Sequence, residues 1–213
     1  MMDKPRTRKG KLPSQLVIPK SPSIVPVSLA MEEAKHQASV RINSNDELEF
    51  IELLGQGNFA IVEKCLHRPT GIYVARKRVT LASNEELQQQ AIREVELLNR
   101  CKFPNVIHSY VTFVKGSQMD IIMEHMDRGS LKDALEICGH LSETIIGHLA
   151  FQVLMGLEYL HKNRKIVHRD IKPSNLMLSS AGVIKISDFG VSAPMSHTNA
   201  TKHTYVGTVT YMS

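Results

Sequence analysis

The stretch "HRDIKPSN", residues 168–175, decides how the rest of the chain is read. It sets charged and hydrogen-bonding side chains in an order that serves one kind of chemistry. Asp170 can accept a proton from an incoming hydroxyl. Lys172 can neutralise charge on a phosphoryl group in transit. Asn175 offers a neutral oxygen to a hard cation. Further on, Asp188 in "DFG" offers a carboxylate to the same ion or to a second one. A few hard oxygen ligands, with phosphates completing the shell, are what Mg2+ prefers.

Upstream lie groups that could hold those phosphates. "LGQGNFAIV", residues 54–62, separates two strand-like runs. Gly55 and Gly57 let the backbone bend and approach a ligand without a Cβ in the way. Backbone N–H groups in such a turn can hold phosphate oxygens. A plain hairpin turn would explain the same glycines without any ligand. No Gly-Lys-Ser/Thr follows, so this is not a Walker A loop. Ala60 takes the third position of the glycine pattern and is small enough to keep the approach open. Lys77 in "VARK" stands on a later strand, and Glu94 stands on the helix that follows. A helix packed on the sheet can bring that carboxylate to the ammonium and fix a cation over phosphates. The alternative is a surface ion pair, which is worth little.

The surrounding pattern places these residues on elements. "ELEFIELL", "AIVEKCLH" and "IYVARKRV" are strand-like runs separated by "GQGN" and "RPTG" turns, which predicts an antiparallel meander. "SNEELQQQAIREVELLNRC" predicts a helix, opened by a capping box from Ser83 to Glu86 and apolar at Ala91, Val95 and Leu98. Two strands follow in "VIHSYVTFVK" and "MDIIMEHM". "GSLKDALEIC" predicts a short helix. "SETIIGHLAFQVLMGLEYLHKN" predicts a long one, opened by Ser142 and apolar at Ile145, Ile146, Leu149, Val153, Leu157 and Leu160. Loops and short strands, "IVHRDIKPSNLML" and "VIKISDFG", come last.

Composition narrows the function classes. The formal net charge is +5, and residues 1–20 alone carry six basic side chains against one acidic one. The whole excess therefore sits on a tail, and a nucleic-acid-binding domain would keep it on the folded part. Residues 1–45 are rich in Pro, Ser and Lys and read as a flexible basic arm. The three cysteines, Cys65, Cys101 and Cys138, show no disulfide or zinc spacing, which suits reduced thiols. No apolar run reaches membrane-spanning length, and the N-terminus has no secretory pattern. Nucleic-acid and membrane partners are not expected.

In the order glycine loop, strand lysine, helix glutamate, "HRDIKPSN" and "DFG", the chain resembles a eukaryotic protein kinase from about residue 48 onward. The resemblance implies an α+β fold. A five-stranded antiparallel N-lobe with one helix would span residues 46–126, and the first part of a mainly helical C-lobe would span 127–213. It also implies ATP and Mg2+ as cofactors. Leu54, Gly55, Gln56, Gly57, Asn58, Phe59, Ala60, Ile61 and Val62 would cover the nucleotide. Lys77 would hold its phosphates and pair with Glu94. Val62, Ala75 and Met177 would sandwich the adenine. Glu124 and Met126 would offer hinge backbone groups to it, behind a gatekeeper Met123. Asp170 would be the catalytic base, with Lys172 beside it as in serine/threonine kinases, and Asn175 and Asp188 would bind magnesium.

"VARK", "MEHMDRGSL", "HRDIKPSN", "DFGVSAPM" and "VGTVTYMS" are similar to the MAP kinase kinase subfamily. That likeness implies a dual-specificity enzyme acting on Thr and Tyr of a MAP kinase, itself activated by an upstream MAP kinase kinase kinase. Thr198 and Thr204 resemble the plant-type spacing of the two activating phosphorylation sites, and Arg169 would bind the phosphate. In the arm, Arg8, Lys9 and Lys11 followed by Leu16 and Ile18 resemble a MAP kinase docking motif; a nuclear localisation signal or an uninvolved arm would read the same. The expected location is cytoplasmic, with the nucleus as a second compartment. Kinase domains resemble one another in having a further helical block after this point. The chain is therefore expected to be a C-terminally truncated kinase, and a catalytically incompetent fragment acting as a binding or decoy module is the alternative.

Overall fold

The computed structural model describes residues 40–57 and 60–188, with the backbone alone at Leu87, Gln90, Arg93, Glu94, Leu97 and Leu98. Five strands form one antiparallel sheet: β1 (Leu48–Gln56), β2 (Ala60–His67), β3 (Ile72–Thr80), β4 (Ser109–Lys115) and β5 (Gln118–Glu124). Their order is β1-β2-β3-β5-β4, so β5 lies beside β3. The meander expected for the first three strands is observed, and helix α1 (Glu85–Asn99) follows β3. β4 and β5 are joined at Gly116-Ser117, where Gly116 has φ 58°. Such a left-handed residue is the natural start of a two-residue hairpin, and glycine adopts it at no steric cost.

Side chains alternate across the sheet, and each face is covered by a different element. On one face Val79, Met119 and Ile121 pack with Leu81 and with Ala91 and Val95 of α1. On the other, Leu48, Cys65, Val74 and Ile122 pack under Ile42, with Val40 beside them. The chain thus enters as a strap across the back of the sheet. Full burial of a Val, Ile or Met contributes roughly 1.5–3 kcal/mol, so both covers matter to the sheet. α1 starts later than the Ser83 cap predicted: its first turn is closed by Gln88 N–H donating to Asn84 O at 3.0 Å.

Beyond β5 come α2 (Leu131–Cys138) and α3 (Glu143–Glu158), the second continued by a π-helical turn over Tyr159–Arg164. A short ladder of β6 (Leu176–Leu178) and β7 (Ile184–Ile186) follows. Leu160, Leu176, Ile184 and Ile186 form a third core with Cys101 and Val106, and Leu149, Val153 and Leu157 of α3 line it. The predicted stripe on α3 holds for those residues but not for Ile146, which is half exposed; Phe151 and Leu154 are exposed on the same helix. The loop before β4 is wedged against this core. Asn105 O accepts from Ile186 N at 3.0 Å, and the Asn105 amide donates to Gln152 Oε1 and Ile184 O. Gly156 leaves room for that wedge, because a Cβ there would stand 2.8 Å from Asn105 O.

Candidate active site

Strand register gathers the first group of predicted residues. Val62 pairs with Lys77, and Ala75 pairs with Met123. Cross-strand partners point to the same side, so these four share the face that also carries Ile121. Glu124, paired with Val74, points to the opposite face. It can therefore offer the face of Ala75 and Met123 only its backbone. Gly55 pairs with Val62 at the end of β1, which sets the glycine turn at the rim of the same face. Asn58 and Phe59 lie outside the described residues.

β6 joins the segment that follows β5. Ser130 forms a bridge with Met177, and Leu178 N donates to Gly129 O at 2.8 Å. The segment after Met126 is thus laced to the strand that carries Met177. A capping box fixes its end: Ser130 Oγ accepts from Asp133 N, while Asp133 Oδ2 takes Ser130 N at 2.8 Å. The S-x-x-D pattern in "SLKD" was the signal for this cap.

Lys77 and Asp188 meet under the sheet, Nζ to Oδ1 at 2.5 Å. The lysine side chain is 7% exposed, so its charge acts in a poorly screened place. Glu94 lies on α1, and its side chain is outside the described residues.

The loop 168–175 is organised around Asp170. Its Oδ2 accepts from Lys172 Nζ at 2.8 Å and from Asn175 Nδ2 at 2.9 Å. Asn175 Nδ2 also donates to the Asp170 carbonyl at 2.7 Å. With the amide nitrogen committed, Asn175 Oδ1 is turned the other way, where Ser174 Oγ donates to it at 3.4 Å. His168, buried, ties this loop to β7. Its Nε2 lies 2.8 Å from Ser187 O, which can only accept, so Nε2 carries the proton; Nδ1 accepts from Asp170 N at 3.3 Å. Burial holds the His168 pKa below its ordinary value, against the opposing pull of its Ser187 bond and nearby carboxylates. Ser187 N and Oγ both donate to Asn175 O, at 2.9 and 3.1 Å. Through this lacing Asp170, Asn175 and Asp188 are held as one unit.

Two residues here have left-handed backbone without being glycine: Arg169 at φ 67° and Asp188 at φ 57°. Each such conformation costs about 1–3 kcal/mol and persists where the surroundings impose it. The strain aims Asp188 at Lys77 while Ser187 stays bonded to Asn175. Arg169 is exposed beside Asp170.

The arrangement juxtaposes a buried cation, a carboxylate and an amide oxygen fit for a hard metal ion, and a second carboxylate bonded to a lysine. No group of three or more His, Cys, Asp or Glu among the described residues could hold a metal unaided. Asn175 and Asp188 suit Mg2+, which keeps waters and takes phosphate oxygens to complete its shell. Sequence reasoning did not find the role of Ser187, the Ser130–Asp133 cap, or Lys185. Thr198, Thr204 and the arm residues Arg8, Lys9, Lys11, Leu16 and Ile18 lie outside the described residues.

Residues 48–213 match the protein kinase domain. The chain is also 40% identical over 167 residues to the dual specificity mitogen-activated protein kinase kinase 1 of Dictyostelium discoideum. The likeness covers 78% of this chain and 25% of that protein, so the chain spans about a quarter of this relative's length. No helix among the described residues is long and apolar enough to cross a membrane.

Proposed function

The chain belongs to the protein kinase family, and from that premise we propose that it carries the ATP site and catalytic loop of a MAP kinase kinase. The observation that carries the reading is the Asp170 carboxylate, held by Lys172 and Asn175 and laced through Ser187 to Asp188. The similarity to the Dictyostelium relative supports the subfamily.

In this reading the adenine lies between Val62 and Ala75 above and Met177 below, with Met123 at the back and the Glu124–Met126 backbone at its edge. The turn from Leu54 to Val62 covers the phosphates. Lys77 neutralises charge on the α- and β-phosphates. Mg2+, when bound by Asn175 Oδ1 and the Asp188 carboxylate, supplies positive charge that stabilises the phosphoryl group in transit. Asp170 takes the proton of the substrate hydroxyl as its oxygen bonds to the γ-phosphorus and the bond to the bridging oxygen of ADP breaks. Lys172 stabilises the charge developing on the transferred group. Residues 1–45 dock a MAP kinase through Arg8, Lys9, Lys11, Leu16 and Ile18. Phosphorylation of Thr198 and Thr204 by an upstream kinase creates a charge that Arg169 can grip in a bidentate bond.

Phosphosite mapping on a MAP kinase incubated with the full-length protein and Mg-ATP tests the assignment. The reading requires phosphate on both a threonine and a tyrosine of one substrate loop. Phosphate on serine or threonine alone would retain the kinase and remove the dual specificity.

A further inference from the structure

Lys185 and Glu124 form an ion pair that the chemistry above does not use. Lys185 Nζ stands 2.7 Å from Glu124 Oε2, and the two side chains are 6% and 1% exposed. Glu124 Oε1 accepts from His108 N at 2.6 Å, so both carboxylate oxygens are engaged. Taking two charges out of water is costly, and an apolar pair of the same volume is often as stable or more so. Stability alone therefore does not explain why the pair is there.

Its two ends explain more. Glu124 closes β5 immediately before the segment that leads to Met126, and its side chain lies on the face away from Ala75 and Met123. Lys185 sits directly opposite Met177 in the β6–β7 ladder. Its neighbours Ile184 and Ile186 point into the core, so Lys185 points the other way, with Met177. Along β7 the chain then runs through Ser187, bonded to Asn175 and His168, to Asp188. One end of the ion pair thus moves with the edge of the adenine pocket. The other moves with the strand that carries the metal ligand. The contact between them is short, charged and dry, so its energy changes steeply with small displacements.

We propose that the Lys185–Glu124 pair is a positioning device that couples occupation of the adenine edge to the placement of Asp188. The proposal rests on the reading of Asp188 as a magnesium ligand. Coupling of this kind is reciprocal: adenine contact favours metal capture, and metal capture tightens the hold on the nucleotide. Neither residue touches the reacting atoms, so both act through Asp188.

The test uses Lys185→Met, which keeps the aliphatic stem, and Glu124→Gln, which keeps an oxygen for His108 N, in the full-length protein. Calorimetry gives the affinity for adenosine, and for ATP with and without Mg2+. Adenosine affinity should stay within about twofold of the parent in Lys185→Met, while the gain in ATP affinity on adding Mg2+ should fall about tenfold in both variants. The double variant should lose little more than either single one, because the pair acts as a unit. An unchanged magnesium gain in variants that melt like the parent would overturn the coupling and leave the pair structural. If Lys185→Met does not fold, Lys185→Arg keeps the charge and alters its reach. A reduced magnesium gain there supports the proposal, and an unchanged one overturns it. If the parent itself gains nothing from Mg2+, the reading of Asp188 fails, and the coupling fails with it.

Discussion

Asn175 donates from one amide nitrogen to both the carbonyl and the carboxylate of Asp170, at 2.7 and 2.9 Å. Asn175 thereby helps Lys172 to hold the Asp170 carboxylate, the proposed base, and leaves its own oxygen, the proposed metal ligand, facing away. Replacing it by alanine removes both effects. Asn175→Ala should lower kcat by about 100-fold or more, the scale of a lost positioned base. The KM for ATP should change far less, because the adenine contacts are untouched. Steady-state kinetics at saturating Mg2+ measures the split.

Gly156 offers a test of packing. A Cβ would meet Asn105 O at 2.8 Å and Ile186 Cδ1 at 2.9 Å. The carbonyl cannot yield cheaply, since it accepts the Ile186 N–H. Gly156→Ala should destabilise by about 1–3 kcal/mol, as overpacking of a filled interior does. Urea unfolding of the parent and the variant gives the difference as a shift in midpoint at constant slope.

The proton dependence follows from three histidines. His108, His125 and His168 all have pKa values pushed below 6.5, in each case chiefly by burial. The unfolded chain then binds more protons than the folded one between the lowered values and 6.5. Stability from this source is complete above pH 6.5 and is lost as pH falls through the folded values. Melting temperature should therefore drop as pH is lowered from 7.5 to 5. His168→Gln, which keeps a donor for Ser187 O, should flatten part of that drop; an equally steep drop in the variant would remove His168 from the account.

Much of this was legible because the signals are local. Alternation marks the five strands, and Asp170, Lys172 and Asn175 fall within one loop, where they meet through the Asp170 carboxylate. The sheet order was not legible, because the crossover through α1 that sets β5 beside β3 leaves no mark within either strand. Nor was the contact of Lys77 with Asp188, whose partners lie 111 residues apart, or that of Lys185 with Glu124, 61 apart. The helix begins at Glu85, so its cap position falls on Asn84, a residue type as well suited to the role as Ser83. Ile146 was placed on the buried stripe of α3 by its period, but the described core reaches the helix only from Leu149 onward.

A phosphate on Thr204 would bring close to two negative charges, which the proposed function pairs with Arg169. Thr204→Ala in the full-length protein should abolish stimulation by an upstream kinase, and acidic residues at Thr198 and Thr204 should raise basal activity. Loss of stimulation in Thr201→Ala, with Thr204→Ala still responsive, would shift the register of both sites.

The most direct measurement compares Asp170→Asn with the parent in the full-length protein, reading phosphoryl transfer and ATP binding side by side. The account predicts that transfer to a MAP kinase falls by at least about 100-fold, the lower range for loss of a general base. Nucleotide affinity should stay close to that of the parent, because Lys77, Met123 and Met177 are unaltered. Transfer at the parental rate in a folded Asp170→Asn protein would contradict the assignment of the base and, with it, the mechanism built on the loop from His168 to Asn175.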